Sequence, residues 1–197
     1  MRIIFVYCIV ICLVACSVTT PEFNKIQDDK SVKEYLSHLD EWFLDGRISL
    51  TGKNESWSAN IVWRHYVEIG EKKDRIELSG PLGQRALLIQ LTDTKVSVDR
   101  GKGDVLWSDN PSSFITQQLG VFVPVEFLRY WVVGSASPKQ ESKVITNGFM
   151  QAGWQIEYQQ MQNVRSHIMP RKIVITGEQI RLKLIVDEWV LDGTDTR

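Results

Sequence analysis

Apolar and polar residues alternate with period two over most of the chain beyond residue 47. Trp57, Ala59, Ile61 and Trp63 stand between Ser56, Ser58, Asn60 and Val62, and Ile76 and Leu78 between Arg75, Glu77 and Ser79. Leu87, Ile89 and Leu91 alternate with Leu88 and Gln90, and Ile180, Leu182 and Leu184 with Arg181 and Lys183. Such runs predict strands with one dry and one wet face, the mark of an antiparallel sheet. Shorter runs at 47–50, 95–99, 104–108, 143–147, 149–152, 154–158 and 171–176, with 180–186 continuing to Trp189, bring the count to about ten or eleven strands.

Helical spacing replaces this pattern in three places. Ser31 and Glu34 have the capping-box spacing, and Val32, Tyr35, Leu36, Leu39 and Phe43 recur at three and four residues. Asp109-Asn110-Pro111 supplies a cap and a first-turn proline for a helix through Leu119, closed by Gly120. Pro124 opens a third helix through Val132, closed by Gly134. Phe127, Leu128, Tyr130 and Trp131 make it apolar around most of its circumference, so it is deeply buried or stoppers a cavity.

The elements predict a mainly β domain over residues 31–197: a strongly curved antiparallel sheet, an incomplete barrel, with about three helices on its concave side. Polar residues 71–74 and the turn 100–103 read as connections. Gly80-Pro81-Leu82-Gly83 joins two strands as a hairpin tip, since Pro81 presets φ for a tight turn and the glycines accept positive φ. Leu82 then stands at the apex, facing water. Exposed leucines are common, so its position alone assigns it no role.

Residues 3–15 carry no charge and follow Arg2. At the helical rise they cover about 20 Å, too short for a bilayer core of about 30 Å, and they read as the apolar region of a signal peptide spanning residues 1–15. Its end, Leu13-Val14-Ala15-Cys16, resembles the lipobox of bacterial lipoproteins, in which the cysteine is acylated and becomes the first mature residue. The alternative is an ordinary secretory signal that happens to hold a cysteine. Cleavage removes Cys8 and Cys12, so the mature chain cannot form an internal disulfide and depends on its core. Acyl groups on Cys16 would make a lasting anchor, and Ser17 after it matches the sorting convention for the outer membrane. Residues 16–30 read as a flexible tether. With 23 Lys and Arg against 24 Asp and Glu, there is no electrostatic footprint for nucleic acid.

Catalytic motifs are sparse. His38, His65 and His167 lie far apart without cysteine or carboxylate at metal-ligand spacing, and each is expected at a surface or edge. Gly134-Ser135-Ala136-Ser137-Pro138 begins like a nucleophile elbow but ends in proline and follows no strand. No nucleotide loop, metal site or cofactor motif is expected. Aromatics are abundant instead: seven tryptophans and seven phenylalanines, with Trp57, Trp63, Trp131, Trp154 and Trp189 on inferred inward faces or the apolar helix. Either these rings fill the core, or they line an apolar cavity between sheet and helices.

Several segments, in order, resemble the LolB family of outer-membrane lipoprotein receptors: Trp42-x3-Gly46-Arg47-Ile48, Trp57-Ser58-Ala59-x3-Trp63, Leu78-x-Gly80-Pro81-Leu82-Gly83, Leu119-Gly120-x3-Pro124-Val125-x2-Leu128-x2-Trp131-x2-Gly134 and Ile180-x-Leu182-x-Leu184-x4-Trp189. The resemblance implies a part-barrel lidded by helices, with a hydrophobic cavity for acyl chains; Trp63, Phe127, Leu128, Trp131 and Trp154 are the candidates to line it. It implies a monomeric receptor, not an enzyme, lipid-anchored through Cys16 at the outer membrane and facing the periplasm. Such a receptor takes acylated lipoprotein cargo from the carrier LolA and passes it to outer-membrane lipid. By motif, Pro81, Leu82 and Gly83 form the loop whose protruding leucine serves membrane insertion. The competing expectation is a lipoprotein scaffold subunit that transports nothing, with Leu82 as a protein contact.

Overall fold

A computed structural model of the chain describes residues 35–36, 39–53, 55–80, 85–101, 103–120 and 122–191. Among them eleven strands form one antiparallel sheet: β1 (Trp42–Gly52), β2 (Ser56–Glu68), β3 (Glu71–Ser79), β4 (Arg85–Leu91), β5 (Val96–Asp99), β6 (Val105–Ser108), β7 (Ser142–Ile145), β8 (Gly148–Gln151), β9 (Trp154–Val164), β10 (His167–Thr176) and β11 (Ile180–Leu191). Their order is β6-β5-β4-β3-β2-β1-β11-β10-β9-β8-β7, so β6 and β7 are free edges and the sheet is not closed into a barrel. Two helices, α1 (Pro111–Leu119) and α2 (Val125–Trp131), connect one edge to the other. The signal peptide, Cys16, the tether and Pro81, Leu82 and Gly83 lie outside the described residues.

Period-two patterning becomes rows of side chains across the inner face. Phe149, Ile156, Ile175, Leu182, Leu50 and Trp57 are register partners in turn from β8 to β2. The first five are buried, which at roughly 1.5–3 kcal/mol for each large apolar side chain makes this face the main stabilising surface. The sheet's middle is the pairing of β1 with β11, which bulges between Asp45 and Gly46. A Cβ on Gly46 would lie 2.2 Å from the Ile185 carbonyl oxygen, so only glycine permits this approach.

The curvature follows from α2. Arg129 meets Asp74 on β3, while the carbonyl of Trp131 accepts the Tyr158 hydroxyl from β9. Five strand spacings separate β3 from β9, about 24 Å on a flat sheet. A helix about 10–12 Å across can touch both only if the sheet wraps around it.

The sequence expectations hold for the sheet and for α1, where Asn110 caps by accepting from the Ser113 amide and Gly120 closes with φ of 72°. The N-terminal helix is shorter than its stripe suggests. Tyr35 and Leu36 are helical, but Trp42 and Phe43 belong to β1, whose alternation runs five residues further upstream than expected. Strands β9 and β10 are also longer. They continue through Gln159–Asn163 and through Pro170, where the register shifts to accommodate a residue without an amide proton. Asp74 lies not in a connection but on the inward face of β3.

Candidate functional site

Helix α2 covers the inner face and is fastened at both flanks. Toward β3, Arg129 is buried with both terminal nitrogens against carboxylates: Nη2 lies 2.7 Å from Asp74 Oδ2 and Nη1 donates to Asp93 Oδ1 at 2.7 Å. The Arg129–Asp74 contact is an ion pair rather than an aligned hydrogen bond, and Arg129 Nε has no acceptor among the described residues. The other oxygen of Asp74 accepts from Trp63 Nε1 at 2.9 Å and sits 2.8 Å from His65 Nδ1. Lys72 adds a contact by lying over the Tyr130 ring, 5.0 Å from its centroid.

Toward β8 and β9 the partners are neutral. Trp131 Nε1 donates to Gln151 Oε1 at 2.8 Å, and the Tyr158 hydroxyl donates to the Trp131 carbonyl at 2.6 Å. Gln151 also accepts from the Ser137 amide and donates to the carbonyls of Ser137 and Gln140. It ties the segment after α2 to β8. Burial pushes the Tyr158 phenol well above its ordinary pKa, because the anion would have no solvent.

The sequence-predicted cavity residues come together where α2, carrying Phe127, Leu128 and Trp131, lies over Trp63 and Trp154 on the inner face, but unequally. Trp63, Trp131 and Trp154 keep 3%, 0% and 5% of their surface, whereas Phe127 and Leu128 remain half-buried. A ring with so little accessible surface touches almost no water-sized space, so the three indoles are packed, and Phe127 and Leu128 offer the accessible apolar surface. A recess of about 590 Å³ lies across the sheet, on its outer face, lined by Phe43, Val62 and Tyr66 together with Arg64, Arg75, Glu68 and Glu77. Both signs of charge make it unsuited to a hydrocarbon chain.

One expectation is corrected here. His65 is not a surface residue; it is buried and stacked on Trp42 at 5.3 Å. Its signal was present, since it continues the inward series of Trp57, Ala59, Ile61 and Trp63. Arg129 was hidden by its neighbours, being one cation in an apolar helix whose partner lies 55 positions earlier. The His65–Asp74 pair has the chemistry of a general base with its orienting acid, yet both side chains are sealed from solvent, so substrate cannot reach them.

A family model described as outer membrane lipoprotein LolB matches residues 40–189, which takes in every strand and both helices except the last two residues of β11. The chain belongs to the LolB family. Outer-membrane lipoprotein LolB of Francisella tularensis subsp. tularensis is 30% identical over 190 residues, covering 92% of this chain and 90% of that one. Its counterpart in Pseudomonas paraeruginosa is 28% identical over 169 residues, or 81% and 79%. Among solved structures, a DUF1329 family protein from Desulfovibrio piger shares the fold, with a TM-score of 0.56 at 7% identity over 90% of this chain and 96% of that one. LolB relatives are outer-membrane lipoproteins by name, and no described helix of this chain is long and apolar enough to cross a membrane.

Proposed function

We propose that this LolB-family chain is the outer-membrane receptor that takes mature lipoproteins from a LolA carrier by their acyl chains and delivers them to the outer membrane. The observation that carries this reading is α2 itself: an apolar helix laid across a wide apolar face, with Phe127 and Leu128 half-exposed at its rim. Acyl chains compete for the same contacts that α2 makes, so they can enter beside Phe127 and Leu128 and displace the helix from the inner face of the sheet. Transfer from carrier to receptor needs no nucleotide, because a difference of about 1.4 kcal/mol moves the equilibrium tenfold. Anchoring through Cys16 would hold the domain at the destination membrane, and Leu82 between Pro81 and Gly83 would enter lipid to let cargo leave.

Substituting Leu82→Glu tests the release step: cargo is expected to bind normally yet remain on the protein when liposomes are offered. Delivery at the normal rate would refute the role of Leu82. The scaffold reading draws support from the edge strand β6, where Val105 and Trp107 are exposed beside unpaired backbone. Mass spectrometry of lipid extracted from the purified chain separates the two readings, since a scaffold carries no acylated cargo.

A further inference from the structure

Four aromatic rings lead from α2 across to the surface beside it. Phe127 packs on Trp131 with centroids 5.7 Å apart, Trp131 on Trp154 at 6.3 Å, and Trp154 on Phe122 at 6.3 Å. Exposure rises along the last three: Trp131 is sealed, Trp154 nearly so, and Phe122 is 57% exposed. The neighbour of Phe122 on its far side, Val123, is buried, so the chain between α1 and α2 turns one apolar side chain in and the next one out.

The ring behind Phe122 is seated on the sheet. Trp154 begins β9 and lies flat on Gly177, where a Cβ would come within 2.7 Å of its Cζ3. Gly120, two residues before Phe122, faces the Glu55 carboxylate in the β1–β2 connection. Thr51 pairs with both Ser56 and Arg181, and Arg181 with Thr176, which pairs with Gln155 beside Trp154. Phe122 therefore stands at the end of the sheet where β1 turns into β2 and β10 into β11. Ser79, the last residue of β3 before the Pro81-Leu82-Gly83 stretch, leaves from that same end.

We propose that Phe122 is the lip of the port through which a saturated acyl chain of the cargo passes, with Trp154 and Trp131 as the track behind it. The proposal rests on the acyl-carrying reading above and adds where the chain enters and leaves. Flat rings in edge-tilted contact can part by small rotations and close again on a hydrocarbon chain, exchanging ring contacts for chain contacts without exposing either to water.

The test uses the full-length acylated chain in lipid nanodiscs and a palmitate bearing a diazirine at its terminal carbon, with photo-cross-links mapped by peptide mass spectrometry. Cross-links are expected on Trp154 and around Phe122. Phe122→Ser, on an exposed site that leaves the fold intact by circular dichroism, is expected to lower labelling of Trp154 about tenfold, the cost of one lost aromatic contact surface. Trp107→Ser, an equally exposed aromatic on β6, is expected to change nothing. Labelling of Trp154 that survives Phe122→Ser, or falls equally with Trp107→Ser, overturns the port. So does a Phe122→Ser chain that adheres less to vesicles while cross-linking normally, because Phe122 is then a bilayer contact only. A wild-type chain labelled within the fold but away from the four rings refutes the port alone, whereas no labelling within the fold refutes acyl binding itself.

Discussion

On its β3 flank α2 is held by charge, Arg129 against Asp74 and Asp93, while on its β8–β9 flank it is held by neutral hydrogen bonds through Trp131, Gln151 and Tyr158. The two flanks stabilise in different ways. A buried ion pair loses in desolvation about what it gains in attraction, so its net contribution is small although its loss is severe. Neutral hydrogen bonds contribute about 0.5–1.5 kcal/mol each and leave less behind when broken. The charged flank thus fixes where α2 sits, and the neutral flank supplies more of the net holding.

Breaking the charged flank should have the largest effect. Arg129→Met leaves Asp74 buried without its cation and is expected to destabilise the domain by about 3–5 kcal/mol, read by urea denaturation. Adding Asp74→Asn, which removes the charge but keeps an oxygen for the Trp63 indole, should recover part of that loss; a double variant as unstable as the single one would show that charge is not the cause. On the neutral flank, Gln151→Leu removes the partner of Trp131 Nε1 and of the Ser137 amide, and about 2–3 kcal/mol is expected by the same measurement.

The smallest effect belongs to Tyr158→Phe, about 1 kcal/mol at neutral pH for the lost bond to the Trp131 carbonyl. Its pH dependence sharpens the comparison. The folded phenol is held protonated by burial, whereas in the unfolded chain it ionises near pH 10. Stability from this difference is intact below about pH 10 and is lost as pH rises further, because the unfolded state then releases a proton that the folded state keeps. The variant should lose less stability than the parent in melts run from pH 9 to 11.

Most of the sheet was legible in the sequence because burial on one face forces alternation, as with Trp57, Ala59, Ile61 and Trp63. The outer halves of β9 and β10 were not, since Gln159, Gln160, Gln162 and Asn163 give a polar run and Pro170 argues against a strand. Trp63 and Trp154 were placed on the inner face by their size and parity. The fastening of α2 was missed for a different reason: Asp74, His65 and Arg129 are polar residues at dry positions, and such residues reveal themselves only when long-range pairing brings them together. An acid on the parity of Ile76 and Leu78 was the available clue.

The seam at the centre of the sheet joins the first strand made to the last one made, Trp42 opposite Leu191. A growing chain that ends anywhere before β11 has two separate half-sheets and no middle, so contacts across the greatest sequence separation must form before the whole can cooperate. The two halves therefore stay apart until β11 is in place, and truncation within β11 should be more damaging than the loss of either outer hairpin.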